Sequence, residues 1–253
     1  MHMPIEINEL ETRRFGITAA KVTELKADIK KINAAAQTDR VQLLTIRVST
    51  DDLARVQELE ADGYRLMDTL VYYDRMLADA PTPQDALIRL ATPADAEAVA
   101  TVARASFAGY FGHYHADPRL SDASADAAYV EWAENSIKGC GPKAPACVAE
   151  RADRILGFMT MRMNSDTEAE IILNGVHPSA QGEGIYGRIL ASSMALLKVA
   201  GRTRVVTSTQ VNNITVQRAW GRQGLRMARS YYTLHKWFNN SRAGCGLSDL
   251  GLN

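Results

Sequence analysis

Ile171-Ile172-Leu173-Asn174-Gly175-Val176-His177-Pro178-Ser179-Ala180-Gln181-Gly182-Glu183-Gly184-Ile185-Tyr186-Gly187 is the stretch from which the rest of the chain can be read. Its opening residues are mostly aliphatic and suit a strand. After Gly184 the pattern turns helical, with Ile185, Ile189, Leu196 and Val199 on one face and Gly201 as the stop. A strand therefore runs into a Gly-rich turn, and the turn opens a helix. Glycines at such a corner let successive backbone N–H groups converge on one anion, while the helix N-terminus adds the positive end of its dipole. The favoured ligand is a phosphate or pyrophosphate. A GxG pair alone more often marks only a tight turn; here the strand before it and the helix after it favour the anion. No Lys-Ser/Thr pair follows, so this is not a Walker A loop, and the GxGxxG spacing of a dinucleotide fold is lacking.

Working outward, two strands precede this corner: Ala146–Arg151 and Arg154–Met163, joined by Ala152-Asp153 as a tight hairpin turn. The third strand of the set is Ala169–Val176. Further upstream lie a short strand at Leu87–Leu90 and a helix to about Phe107, announced by Thr92-Pro93-Ala94-Asp95 with an N-cap, a first-turn proline and a carboxylate. The stretch Gly109–Asp122 is irregular, and a second helix carries Tyr129 and Trp132 three residues apart. Downstream come strand Val205–Thr209, a helix from about Ile214 to Gln223, and strand Ser230–Phe238. The order is β-α-α-β-β-β-α-β-α-β.

The prolines of Ala78-Asp79-Ala80-Pro81-Thr82-Pro83-Gln84-Asp85 mark an extended connector. Before it, Val41–Val48 reads as a strand, Asp51 offers an N-cap, Leu53, Val56 and Leu59 give helical spacing up to Gly63, and Tyr64–Tyr73 is again a strand. The expected domains are a small α/β unit over 1–80, a larger one over 86–238, and a loosely ordered tail over 239–253. Leu59–Leu66 and Trp220–Met227 both read as helix, Gly, strand, so the first segment echoes the end of the second.

The 253 residues are 46% hydrophobic and 23% charged, ordinary for a soluble globular protein. Lys+Arg and Asp+Glu both number 29, so no whole-chain basic field would draw nucleic acid or an anionic membrane. The apolar runs are too short to span a bilayer, and Met1–Glu6 has neither the basic start nor the apolar run of an export signal. Cys140, Cys147 and Cys245 show no metal-ligand spacing and read as free thiols. A cytoplasmic protein without a metal is expected.

The Gly-rich corner resembles motif A of the GNAT acyltransferases, Gln/Arg-x-x-Gly-x-Gly/Ala, at Gln181 and Gly184, with Val176-His177-Pro178 as the strand exit. Tyr186 stands where that motif has a small residue, so its ring either crowds the pyrophosphate or turns away. The resemblance implies a GNAT fold, an α/β (α+β) arrangement with a mixed central sheet flanked by helices, and acetyl-CoA or another acyl-CoA as co-substrate. It implies a bulged strand whose backbone at Leu173, Asn174 and Val176 meets the acyl carbonyl and pantetheine arm, and a CoA site at Gln181, Gly182, Glu183, Gly184, Ile185, Tyr186 and Gly187. Asn213–Leu225 is similar to the family's Asn-x-x-Ala-x-x-Leu-Tyr-x-x-x-Gly-Phe segment at Asn213 and Gly224. Trp220 replaces the tyrosine that in many members protonates the departing thiolate. Indole N–H donates a hydrogen bond but is no acid near neutral pH, and Trp220 reads equally as packing or as a CoA-facing group.

Phe107–Pro118 and Ala125–Ser136 resemble a narrower group, the TDP-fucosamine acetyltransferases and related enzymes acting on nucleotide-linked amino sugars. Arg14-Phe15-Gly16-Ile17, Asp51-Asp52 and Leu66-Met67-Asp68-Thr69 extend the likeness into the first segment. It leaves room for a homodimer. His113, His115 and Asp117 fall within five positions in this loop. Acyl transfer to an amine needs a neutral nucleophile, His titrates closest to working pH, and Asp117 is available to orient it. The same residues also suit a loop fixed by side-chain hydrogen bonds. Tyr114, Tyr129 and Trp132 are candidate substrate contacts, with core packing the alternative for the last two. No Ser-His-Asp or Cys-His set calls for a covalent intermediate. The expected activity is direct acyl transfer to a nucleotide-linked amino sugar. Transfer to an aminoglycoside or a protein lysine, and an idle acyl-CoA-binding module, stand as alternatives.

Overall fold

Residues 3–80 and 85–238 are described by the structure, a computed structural model. Strand β1 (Ile5–Ile7), helix α1 (Glu9–Phe15), β2 (Ala19–Val22), α2 (Ile29–Thr38), β3 (Leu43–Ser49), α3 (Leu53–Ala61) and β4 (Arg65–Met76) come first. Then follow β5 (Ile88–Leu90), α4 (Ala96–Ser106), α5 (His113–Ala116), α6 (Asp122–Lys138), β6 (Ala146–Arg151), β7 (Arg154–Met163), β8 (Glu168–Val176), α7 (Ile185–Val199), β9 (Arg204–Gln210), α8 (Ile214–Arg222) and β10 (Arg226–Trp237). Every element expected from Leu87 onward is present. The additions there are α5, a single turn inside the stretch read as irregular, and short 3₁₀ turns at Pro93–Asp95 and Pro178–Ala180. β1, α1, β2 and α2 were not anticipated, because the strands are only three and four residues long and the helices are rich in charged residues or alanine, which weakens the periodic signal. The cap of α3 is Asp52, not Asp51: the Asp52 carboxylate accepts from Arg55 N–H at 3.2 Å, while the Asp51 carboxylate takes the Ser49 hydroxyl.

Contacts divide the chain into two units. The first holds the chain up to Val48, Asp52–Leu66 and the part from Thr233; the second holds Ser49–Asp51 and Met67–Tyr232. This division runs inside β4 and β10, and the expected domains over 1–80 and 86–238 remain a proposal. Much of the connector (81–84) and the tail (239–253) lie outside the described residues.

In the first unit β1 pairs antiparallel with β2, β2 runs parallel to β3, and the end of β10 lies beside β3. Asp62 ties this unit together, accepting from Asn33 Nδ2 and from Lys236 Nζ, each at 2.6 Å.

In the second unit the strand order is β10-β4-β9-β8-β7-β6-β5. The pairs from β5 to β8 are antiparallel, as is β4 with β9, but β8 and β9 are parallel. Ala152 and Asp153 both have positive φ, 48° and 58°, as the two-residue turn between β6 and β7 requires. One apolar layer packs α4 and α6 through Val99, Ala103, Ala133 and Ile137 onto Val148, Phe158 and Leu173. The other packs α7 through Ile189, Leu190, Met194 and Leu197 onto Met159, Met161 and Ile171. A sheet covered on both faces accounts for the apolar density of β6 and β7.

Two irregularities open this sheet. Pairing between β8 and β9 stops at Ile171↔Thr207; beyond it Ser208–Gln210 pair with β4 and Leu173–Val176 with β7, so the two parallel strands splay. The β7–β8 register shifts from Met161↔Ile171 to Thr160↔Leu173, which leaves Ile172 as the extra residue of a bulge.

Candidate functional site

The splay between β8 and β9 leads into a cavity of about 930 Å³. Its floor is Ile172–Val176 with Ser208 and Thr209, one side is the start of α7 and α8, and the other is Ser106, Phe107 and Gly109–Phe111. Every one of these residues belongs to the second unit.

Past Val176 the chain makes one 3₁₀ turn over Pro178–Ala180, and Gln181 folds its side-chain amide back onto the Val176 carbonyl at 3.3 Å. Gly182 and Gly184 then adopt φ of +85° and +75°, left-handed values that an L side chain strains to reach. Gly184 is the N-cap of α7 and supplies no side-chain acceptor. The N–H groups of the first turn of α7 have no partner within the helix. The space a Cβ would enter at Gly182 and Gly184 is open. Bare N–H groups, an unopposed helix dipole and a cavity in front of them suit the diphosphate of an acyl-CoA.

Of the expected cofactor residues, Leu173, Asn174, Val176, Gln181, Gly182, Gly184, Ile185, Tyr186, Gly187, Asn213 and Trp220 line the cavity. Glu183 does not: its carboxylate pairs with Arg151 at 2.7 Å, leaving only its backbone for a ligand. Asn213 caps α8 and donates through Nδ2 to the Thr209 hydroxyl at 3.0 Å, which fixes the helix start against the end of β9. Trp220 is 1% exposed, packs against Tyr73 with ring centroids 5.2 Å apart, and donates its indole N–H to the Tyr186 hydroxyl at 2.8 Å. The Tyr186 ring therefore turns toward α8, and Trp220 is a packing residue with one edge on the cavity.

The loop residues stand elsewhere. His115 lies outside the cavity lining: Nδ1 accepts from the Gly112 N–H at 3.3 Å and Nε2 faces Asp126 at 3.1 Å. That pattern puts the proton on Nε2 and occupies both ring nitrogens. Asp117 is buried at the end of α5 and accepts from Arg119 N–H at 3.1 Å. His113 is buried, with Nδ1 3.9 Å from Asp68 Oδ2, and Gln210 Nε2 donates to that same oxygen at 3.3 Å. Tyr114 packs against His113, and Tyr129 is buried in a stack with Phe107 at 5.0 Å. Trp132 is 39% exposed and lies away from the lining. The aromatic wall is instead Phe107, Tyr110 and Phe111. Their stretch was singled out, but nothing local distinguishes the rings that face a cavity from those that stack behind it. Gly175 is dictated by another lining residue: a Cβ there would sit 2.4 Å from the Ser106 hydroxyl. Among the described residues no group of three or more His, Cys, Asp or Glu is arranged to hold a metal ion.

A mixed sheet split between two parallel strands, with a bulge beside the split and a glycine-lined helix start across from it, is the fold expected of an acyltransferase. Residues 108–225 match the acetyltransferase (GNAT) family, and the chain carries a GNAT acetyltransferase domain. It is an acyltransferase, and the family takes acetyl-CoA or another acyl-CoA as donor. The spore coat polysaccharide biosynthesis protein SpsD of Bacillus subtilis (strain 168) is 26% identical over 229 residues, covering 87% of this chain and 75% of SpsD. Among solved structures, a GCN5-related N-acetyltransferase from Sphaerobacter thermophilus superposes with a TM-score of 0.64 at 14% identity, over 92% of this chain and 76% of that one. A tandem GNAT protein of the clavulanic acid biosynthesis pathway does so with a TM-score of 0.53 at 15% identity, over 88% and 76%. No described helix is long and apolar enough to cross a membrane.

Proposed function

We propose that the protein moves an acetyl or other short acyl group from acyl-CoA directly to the amine of a nucleotide-linked amino sugar of the TDP type. The observation that carries the donor half is the open first turn of α7 behind Gly182 and Gly184, facing the cavity. The acceptor half is supported by the likeness at Phe107–Ser136 and by SpsD, a relative named for polysaccharide biosynthesis. In this reading the diphosphate lies on the N–H groups of Gly182–Gly187, and the β8 backbone at Leu173, Asn174 and Val176 aligns the thioester. The amine then attacks without a covalent enzyme intermediate.

Of the three loop candidates for proton removal, His113 comes first because Asp68 stands beside it, its Oδ2 3.9 Å from His113 Nδ1. His115 and Asp117 come after it, and none of the three lines the cavity. A well-placed base contributes about 10²–10⁴-fold. Phe107, Tyr110 and Phe111 are better candidates for substrate contact than Tyr114, Tyr129 and Trp132, for the reason of lining given above. A cytoplasmic location goes with this reading, and a homodimer is compatible with it.

The test is a thiol-release screen of several acyl-CoAs against TDP-linked amino sugars, an aminoglycoside and a lysine peptide. The reading expects turnover with an amino sugar well above the other amines. Preference for the aminoglycoside or the peptide overturns the sugar assignment and leaves the acyltransferase intact.

A further inference from the structure

An acyl-CoA with its diphosphate at the start of α7 and its thioester on the β8 floor at Leu173, Asn174 and Val176 points its acyl group at the wall on the far side of the cavity, Ser106, Phe107 and Tyr110. That wall is pressed onto the floor. A Cβ at Gly175 would run into the Ser106 side chain, so the end of α4 lies directly on the stretch of β8 between Asn174 and Val176. Ser106 is the last residue of α4 and Phe107 follows it. The Phe107 ring is not free to swing aside. It stacks on Tyr129 of α6 with centroids 5.0 Å apart and 20° between the planes, and meets Tyr110 edge-on at 5.5 Å. Tyr110 and Tyr129 meet edge-on at 5.1 Å, so the three rings close a triangle of stacked and edge-to-face pairs, the geometries aromatic rings favour. The Tyr110 N–H donates to the Phe107 carbonyl at 2.9 Å, and the Tyr110 hydroxyl is hydrogen-bonded to Thr209 on β9. The triangle is thereby tied to α4, α6 and β9 at once. Phe107 and Tyr110 line the cavity, while Tyr129 is buried behind them in the apolar layer of α4 and α6. A close-packed cluster of this kind yields little to an extra methylene pushed against it.

We infer that the Phe107–Tyr110–Tyr129 triangle is the stop for the acyl chain and selects an acetyl donor over one with a long acyl group. The inference rests on the acyl-CoA reading of the cavity and adds to it the residues that measure the chain. Phe107 is the ring that the end of the chain meets. Tyr129, which lines no part of the cavity, is a positioning residue that acts through Phe107. A single methylene that a pocket does not fit is worth about 10–200-fold. A chain four carbons longer than acetyl must therefore be disfavoured by at least the lower of these factors, unless the wall gives way.

The experiment titrates acetyl-CoA and hexanoyl-CoA into each protein by calorimetry and takes the ratio of the two affinities within that protein, so that a general loss of binding cancels. Wild type is expected to hold acetyl-CoA about tenfold or more tightly than hexanoyl-CoA. In Phe107→Ala the ratio should fall to about one, because the end of the chain enters the space the ring has left. Tyr129→Leu, which changes nothing on the cavity surface, should narrow the ratio as well. A wild type that binds the two donors alike, or a Phe107→Ala protein that binds acetyl-CoA and keeps the wild-type ratio, overturns the inference alone. An unchanged ratio in Tyr129→Leu overturns the part given to Tyr129. Failure of wild type to bind either donor overturns the acyl-CoA reading, and this inference with it. If Phe107→Ala does not fold, Phe107→Leu keeps an apolar side chain in the layer and shortens it. The ratio must then narrow, and an unchanged ratio contradicts the inference.

Discussion

The hydroxyl of Thr160 donates to the Leu173 carbonyl at 3.1 Å and accepts from the Leu173 N–H at 3.2 Å, so one side chain satisfies both backbone groups next to the bulge at Ile172. Thr160 and Leu173 are both buried, and water offers no substitute there. Thr160→Val keeps the shape and removes both bonds. Leaving a buried N–H unsatisfied costs about 1–3 kcal/mol. Chemical denaturation should show a loss in that range, and acetyl-CoA should bind more weakly as the bulge loosens. Unchanged stability would mean the bulge is held by its strand pairing alone.

Gly184 holds φ at +75° and caps α7 without a side chain. Gly184→Ala forces an L residue into the left-handed region at a cost of roughly 1–2 kcal/mol. The corner should relax and misalign its N–H groups. We expect affinity for acetyl-CoA to fall about tenfold, equivalent to about 1.4 kcal/mol, with a smaller effect on S-acetylpantetheine. An equal loss for both ligands would place the damage away from the diphosphate.

His115→Ala removes the acceptor for the Gly112 N–H and the partner of Asp126, a capping loss of about 0.5–2 kcal/mol. The thermal midpoint should drop while kcat at a temperature below it stays within a few-fold of wild type. His113→Gln should lower kcat more than that. The reverse order in kcat would return His115 to the first place among the candidate bases.

The Arg89 guanidinium holds the Asp95 carboxyl down at about 2, helped by the Thr92 N–H, and the burial that opposes them is outweighed. A carboxyl whose value is depressed on folding contributes stability above its unfolded value, and loses it as pH falls toward the folded one. That contribution should be present at pH 7 and disappear between about pH 4 and about pH 2. Because Arg89 is partly exposed, solvent screening reduces it to about 1 kcal/mol. Asp95→Asn should lower stability at neutral pH and flatten this part of the acid profile, as read by denaturation at a series of pH values.

What the sequence disclosed and what it hid divide by range along the chain. The β6–β7 hairpin is legible to the residue, because its strand pattern and the Ala152-Asp153 turn are local. The Gly182–Gly184 corner is legible for the same reason. Tyr186 and Trp220 lie 34 positions apart, and neither alone shows that the other is its hydrogen-bond partner. Arg151 draws the Glu183 carboxylate off from 32 positions away. The expectation for His115 rested on residue type and proximity to Asp117, whereas the fold gives it Gly112 and Asp126. The place of β4 beside β9, Leu70 opposite Gln210, joins segments too distant for any local pattern to pair them.

The account stands most directly on whether the α7 corner captures the diphosphate of a CoA thioester. Titration calorimetry with acetyl-CoA and with S-acetylpantetheine, which has the same thioester and no diphosphate, reads this in one experiment. We expect acetyl-CoA to bind about a hundredfold more tightly, a difference of about 2.7 kcal/mol, with the gap narrowed in Gly184→Ala. Equal affinities for the two ligands, or no binding of acetyl-CoA, would contradict the account.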